Sequence, residues 1–109
     1  MKIEIIARST ATVISIFGEI DMNSSPQLRM QLLDLIGKKA PALFVDFAGV
    51  SYIDSSGIAT FVEGLKGMKH YGGRLTFVGI PPKIAEIFSF AKLDKVFEIH
   101  GSIDDALRG

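Results

Sequence analysis

The stretch that decides the fold is Val50-Ser51-Tyr52-Ile53-Asp54-Ser55-Ser56-Gly57-Ile58, which stands between two different hydrophobic patterns. Before it, residues 43–47 form a short apolar run with the β-branched and aromatic composition typical of a buried strand. After it, apolar residues recur at the spacing of an amphipathic helix. These are Ile58, Phe61, Val62, Leu65 and Met68. Residues 54–57 are therefore predicted to lie where a strand gives way to the N-terminus of a helix.

Two hydroxyl groups follow one another in that predicted turn, on Ser55 and Ser56. A helix N-terminus has unpaired backbone N–H groups and the positive end of the helix dipole, so it suits a phosphate that is bound there or attached to a serine. The simpler alternative is that Asp54 or Ser55 only caps the helix. Capping does not account for Ser56 or for Gly57, a residue type that lets another molecule approach closely. From the residues alone both interpretations stay open.

The rest of the chain follows the order β-β-α-β-α-β-α-β-α. The predicted strands lie at residues 3–7, 12–20, 43–47, 74–80 and 96–99. A polar turn is predicted at residues 8–11, so the first two strands should form an antiparallel hairpin. The first helix is predicted to have Ser25 as its N-cap and to end at Gly37.

Three further helices complete that order. The second follows Gly57 and ends near residues 70–73, where two glycines occur. The third begins at Pro82, and its predicted buried face consists of Ile84, Ile87, Phe88 and Ala91. Ser102 is predicted to cap a final short helix, with Asp105 as its capping-box partner.

This order predicts one α/β domain covering residues 1–109, with a mixed, mostly parallel sheet of about five strands and about four helices. Functional groups in such sheets gather beyond the carboxyl ends of the strands. Those ends carry residues 21–24, 51–57 and 79–82, and these three loops are expected to lie side by side. Asp21 and Asp54 should then flank one site. An apolar rim of Met22, Ile58, Ile80, Pro81 and Pro82 would suit a protein-docking surface, although Ile58 and Ile80 are also candidates for the core.

Composition excludes several classes of protein. Twelve basic and twelve acidic residues give a formal net charge of zero, which argues against sequence-independent nucleic-acid binding. The chain has no cysteine, so it has neither disulfides nor a thiolate metal site. Its longest apolar runs are far shorter than the ~20 residues of a membrane span, and its first residues do not form a signal peptide. A cytoplasmic location is expected.

Motifs for catalysis are also missing from the sequence. It contains no Gly-x-Ser-x-Gly elbow, no phosphate-binding Gly-x-x-x-x-Gly-Lys loop and no dinucleotide fingerprint. His70 and His100, the two histidines, are not expected near the serine turn, so neither could serve as a base for a serine nucleophile. Carboxylates and hydroxyls there could ligate a divalent cation, but EF-hand spacing is absent. We therefore predict that the protein is not an enzyme and that it has no metal site and no cofactor.

The motifs together resemble a stand-alone STAS domain of the bacterial anti-sigma-factor antagonist type. The resemblance covers nearly the whole chain, and its most specific part is the Asp-Ser-Ser-Gly string at the predicted strand-to-helix turn. The matching segments are residues 18–21, 45–47, 50–57, 72–75, 81–82 and 93–97.

The resemblance implies a phosphorylation switch. In such proteins the serine before the glycine, here Ser56, is phosphorylated by a partner serine kinase that is also an anti-sigma factor, with Ser55 as the alternative acceptor. The unphosphorylated antagonist binds that kinase and frees a sigma factor, and a serine phosphatase resets the switch. Asp21 and Asp54 would support the loop. The expected partner-binding residues are Asp21, Met22, Asn23, Asp54, Ser55, Ser56, Gly57, Ile58, Ile80 and Pro81.

Two alternatives stay open at this point. STAS-like chains also serve as accessory subunits of membrane transporters, including lipid-handling ABC systems, where the same surface would dock a transport ATPase without phosphorylation. A nucleotide-binding module is a third possibility, although no Lys or Arg lies near the loop to favour it. The sequence does not identify the kinase, the phosphatase, the sigma factor or the oligomeric state.

Overall fold

In the computed structural model, which describes residues 1–8 and 10–108, five strands form one sheet in the order β1-β2-β3-β4-β5. The first pair is antiparallel and the other pairs are parallel, as predicted. The strands are β1 (Lys2–Arg8), β2 (Ala11–Ile20), β3 (Ala42–Ile53), β4 (Arg74–Val78) and β5 (Glu98–His100). The helices are α1 (Ser25–Gly37), α2 (Ser55–Lys69), α3 (Pro82–Phe90) and α4 (Ile103–Arg108). The predicted α/β order is confirmed.

The sheet carries a large core on one face and a small one on the other. Alternate side chains of a strand point to opposite faces, so Val45 and Phe77 join the buried residues of α1, α2 and α3. Phe44 and Val78 face the other way and pack with Ala106 of α4. The centre of the large core is a cluster of aromatic rings, with Phe77 4.8 Å from Phe47 and 4.5 Å from Phe97 between ring centroids.

Strand β3 is much longer than predicted. Residues 43–46 of the apolar run pair with both neighbours, but the strand then continues along β2 alone as far as Ile53. Its pairing with β2 shifts register twice, between Ser15 and Phe17 and between Gly18 and Glu19. The predicted strand ended too early because residues 48–53 do not alternate regularly between polar and apolar, and β-bulges disturb such alternation.

In the second half of the chain, three other predicted element boundaries also differ from those in the structure. β5 begins at Glu98 rather than Val96, because the N–H groups of Val96 and Phe97 donate to the carbonyl of Leu93 and form a turn. β4 ends at Val78 because Gly79 has a positive φ of 64°. Ala91 is exposed rather than buried, since α3 ends at Phe90.

The predicted polar turn at 8–11 is only partly described. Arg8 ends β1 and Ala11 begins β2, while Ser9 lies outside the described residues. The side-chain oxygen of Ser102 accepts a hydrogen bond from the N–H of Asp105 at 3.2 Å, which confirms the predicted cap of α4.

Candidate functional site

Asp54 caps the helix that begins at the serine turn. Its backbone is extended, with φ −112° and ψ −173°, and it directly follows the last residue of β3. Its Oδ1 atom accepts hydrogen bonds from the backbone N–H groups of Ser56 at 2.9 Å and Gly57 at 3.3 Å. These are two of the N–H groups that a helix N-terminus leaves without backbone partners. The carboxylate therefore fixes the position of the first turn of α2.

The Ser56 hydroxyl is held by the same carboxylate oxygen. Its Oγ donates to Oδ1 of Asp54 at 2.5 Å, and the side chain is half-buried, whereas that of Ser55 is exposed. This hydrogen bond is the largest cause that lowers the pKa of Asp54, and the N–H groups of Gly57 and Ser56 lower it further. Asp54 is thus ionised at neutral pH, and the proton between the two oxygens belongs to Ser56.

Gly57 faces the interior of the protein. A Cβ atom at this position would lie 2.6 Å from Cγ2 of Ile20 and 2.8 Å from Cγ1 of Ile53. The space that a glycine leaves is therefore filled by the protein's own strands rather than left open for another molecule. This close approach brings the first turn of α2, with both serines, down onto the carboxyl ends of β2 and β3.

The loop after β2 is organised by Asp21 and Ser24. Oδ1 of Asp21 accepts from the N–H groups of Asn23 at 2.9 Å and Ser24 at 3.0 Å, so the carboxylate is turned into its own loop. Oγ of Ser24 donates to the carbonyl of Glu19 and accepts from the N–H of Asp21. The prediction that Ser25 is the N-cap of α1 is wrong. Ser24 occupies that position without a capping hydrogen bond from its side chain, and Ser25 is the buried first residue of α1.

Two of the three predicted loops lie together. The N–H of Asp54 donates to the carbonyl of Ile20 at 3.1 Å, and the N–H of Met22 contributes to lowering the pKa of Asp54. Residues 21–23 and 54–58 thus form one continuous surface, which we call the serine face. Met22, with 77% of its surface exposed, is its most prominent apolar group, while Ile58 packs partly against the core.

The third loop lies elsewhere along the sheet. β4 pairs with β3 only as far as Asp46, and Gly79 sits beside Asp46 and Ala48. From there β3 continues for seven more residues, with two register shifts against β2, before it reaches Asp54. Ile80, half-buried, packs against the core, and Pro81 is the N-cap residue of α3. The strand register by itself therefore does not set this loop beside Asp54, and the expectation of three adjacent loops stays a prediction for the third loop.

Tyr52 is an exposed aromatic residue that the sequence prediction left out of the partner-binding set. It precedes Ile53 at the end of β3, pairs with Glu19, and exposes 46% of its surface. Both Ser51 and Tyr52 are exposed, which breaks the in–out alternation of the strand where the register shifts. Its position two residues before Asp54 could have suggested from the sequence that Tyr52 lies near the serine turn.

The histidine at the end of β5 lies away from the serine face. His100 lies 2.8 Å from Glu98, at the far edge of the sheet from β2. Within residues 1–8 and 10–108, no group of three or more His, Asp or Glu side chains is placed to hold a metal ion. No helix in this described part is long and apolar enough to cross a membrane.

Comparison with known proteins places this geometry in a family. The STAS domain model matches residues 2–106. An anti-sigma-B factor antagonist of Listeria monocytogenes is 30% identical over 91% of this chain and 88% of its own length. The antagonist of Bacillus subtilis is 34% identical over 79% of this chain and 78% of its own.

Solved structures agree with that assignment. An anti-sigma factor antagonist from Mycobacterium paratuberculosis superposes with a TM-score of 0.89 at 25% identity, over 98% of this chain and 91% of that chain. The Bacillus cell fate determinant SpoIIAA in its phosphorylated form has the same fold, with a TM-score of 0.76 at 21% identity over 98% of this chain and 97% of that one. The chain therefore belongs to the STAS domain family, among the anti-sigma-factor antagonists.

Proposed function

We propose that this chain binds an anti-sigma factor through the serine face and that phosphorylation of Ser56 by that partner, acting as a serine kinase, switches the binding off. The observation that carries the proposal is the Ser56 hydroxyl, held 2.5 Å from the Asp54 carboxylate at the N-terminus of α2. Membership of the antagonist family agrees with a binding protein that has no catalytic activity of its own. The switch would act in the cytoplasm, where a serine phosphatase resets it.

The physical basis of the switch is that the interaction between Ser56 and the Asp54 carboxylate changes from attraction to repulsion. Ser56 now donates a proton to Asp54, and a phosphate ester has no such proton. The phosphoryl group adds a charge of about −1.5 to −2 at neutral pH. An attraction between Oγ and the carboxylate becomes a repulsion, and both anions then compete for the N–H groups of Ser56 and Gly57. A partner surface that fits the apolar Met22 and the neutral hydroxyl would be rejected by this charge.

The proposed partner face keeps the ten residues named from the sequence and adds Tyr52. The serine face supplies Asp21, Met22, Asn23 and residues 54–58, and it forms one surface. Ile80 and Pro81 belong to the third loop, which no described contact joins to the serine face, so we assign them to the rim of the interface. Gly57, being buried, acts there by setting the height of the serines above the sheet.

The test is incubation of three proteins with ATP and a candidate anti-sigma factor that has serine kinase activity. Wild type and Ser55→Ala should each accept one phosphate, and Ser56→Ala should accept none. Intact-mass measurement gives the stoichiometry. Unphosphorylated Ser56→Ala should still bind the kinase, because only the Oγ atom is lost, while phosphorylated wild type should bind at least tenfold more weakly, as expected if about 1.4 kcal/mol is lost.

Two results would contradict the proposal. One is undiminished phosphorylation of Ser56→Ala, which would move the acceptor to Ser55 or beyond. The other is equal affinity of the phosphorylated and unphosphorylated chains for the kinase. Tight binding to a transport ATPase with no phosphate in cells would instead support the transporter-subunit alternative.

A further inference from the structure

Strand β1 is an unprotected edge of the sheet. It pairs with β2 on one side, and the sheet order places no strand of the described chain on its other side. Its seven residues pair with β2 one for one, without the bulge or proline that commonly protects an edge. A row of backbone N–H and C=O groups is thus available for a further strand.

Apolar side chains accompany that free edge. Ile5 and Ile6 lie on opposite faces of the sheet and expose 44% and 56% of their surfaces. Beside Ile5 a shallow groove runs between β1 and α1, lined also by Met30, Gln31 and Asp34. Met30 exposes 73% of its surface. An occupant that adds a strand to β1 would cover apolar surface on both faces.

We propose that the occupant is β1 of a second copy of this chain, paired antiparallel about a two-fold axis at Ile6. Glu4 and Arg8 flank Ile6 at equal distances on the same face of the strand. An axis at Ile6 therefore sets Glu4 opposite Arg8 of the second copy, twice, around an Ile6–Ile6 pair. Cross-strand pairs of opposite charge stabilise antiparallel strands, and like charges oppose pairing. An axis at Ile5 would instead set Lys2 against Arg8.

The geometry of this dimer follows from the axis. Residues opposite each other share a face, so both α1 helices lie on the same side of a continuous ten-stranded sheet, and Ile5 meets Ala7 of the second copy. Arg8 already contacts Asp104 at 3.0 Å, but half of its side chain is exposed and its remaining donors are available. Ile6 pairs with Val13 at the start of β2, whereas the serine face follows the end of β2. The two-fold axis thus lies near the opposite end of β2 from the serine face.

Disulfide trapping tests the register, because the chain has no cysteine of its own. The variant Ile6→Cys should form a disulfide-linked dimer under mild oxidation, since directly opposite residues have Cα atoms about 4.5–5.5 Å apart, within the range of a disulfide. Ile5→Cys alone should not, but Ile5→Cys mixed with Ala7→Cys should link the two different chains. Phe90→Cys, 94% exposed on α3, is the control for random collision.

Charge exchange tests the same register without oxidation. Glu4→Arg and Arg8→Glu should each raise the dimer dissociation constant by about tenfold in sedimentation velocity, because two attractive pairs become repulsive. The double variant should restore dimerisation. Circular dichroism checks that each variant is folded. A monomeric wild type at every attainable concentration, equal trapping of Ile6→Cys and Phe90→Cys, or a double variant as weak as the singles would overturn the proposal.

Discussion

Asp54 does two things with one oxygen atom. Oδ1 caps α2 through the N–H groups of Ser56 and Gly57 and also holds the Ser56 hydroxyl. A chemical change at Ser56 is therefore felt at the helix N-terminus, where the backbone carries partial positive charge. The sequence indicated that Asp54 or Ser55 could cap the helix at this turn, because capping depends on neighbouring residues, and the structure shows that the cap is Asp54. The 2.5 Å contact between Oγ of Ser56 and Oδ1 depends on the rotamers of the two side chains, which residue spacing does not specify.

Thr76 offers a test of the core at a single residue. It is fully buried in β4, and its Oγ1 has no hydrogen-bond partner among the described residues. A buried hydroxyl without a partner is costly. Thr76→Val keeps the branched shape and should raise the free energy of unfolding by about 1 kcal/mol in urea titration.

The matched control is Thr60→Val on α2. Thr60 is also buried, but its Oγ1 donates to the carbonyl of Ser56 at 3.0 Å. Its replacement should lower the free energy of unfolding by about 1 kcal/mol. If both variants destabilise equally, the hydroxyl of Thr76 has a partner that the structure does not show.

At the scale of elements, two glycines of α2 set its distance from α1. A Cβ atom at Gly64 would lie 2.7 Å from Cδ2 of Leu32, and one at Gly67 would lie 3.2 Å from Cγ2 of Ile36. A glycine inside a helix costs roughly 1 kcal/mol relative to alanine, so two of them indicate either close packing or a weak helix. The structure supports close packing, because α2 runs unbroken from Ser55 to Lys69.

Gly64→Ala should accordingly destabilise the protein by about 1–3 kcal/mol, the usual cost of overpacking, despite the better helix propensity of alanine. Leu32 is fully buried and has little room to move. Gly37→Ala, where a Cβ would meet nothing within 4 Å, is the control and should be neutral or stabilising. Chemical unfolding of both variants decides the matter, and a neutral Gly64→Ala would show that α1 and α2 can move apart freely.

At the scale of the whole molecule, an ionic cluster joins the last two strands to α4 over the second core. Nε of Arg74 donates to Glu98 at 2.9 Å, and its Nη2 donates to the carbonyl of Ala106 at 2.8 Å. The Arg74 guanidinium lowers the pKa of the Glu98 carboxyl to about 2, although burial of the carboxyl acts in the opposite direction. His100 donates a further hydrogen bond when the carboxylate is charged.

Glu98 should therefore make stability depend on pH in the acid range. A carboxyl with a lowered pKa stabilises the fold fully above its ordinary value of 4.5, and this contribution is lost as the pH falls towards about 2. The difference in unfolding free energy between wild type and Glu98→Gln should be constant near neutral pH and vanish near pH 2. Glu86→Gln, on the exposed side of α3, is the control. A difference independent of pH would exclude the ion pair as its cause.

The sequence by itself determined the order of strands and helices, the parallel sheet with one antiparallel strand, and the turn that carries Ser55 and Ser56. These features follow from hydrophobic period and local capping, which neighbouring residues specify. Only the tertiary structure decided the length of β3, the inward direction of Gly57, the point along β3 at which β4 ends, and the open edge of β1. These depend on strand register and on side chains far apart in sequence, because a shift of one residue turns a strand's side chains to the other face.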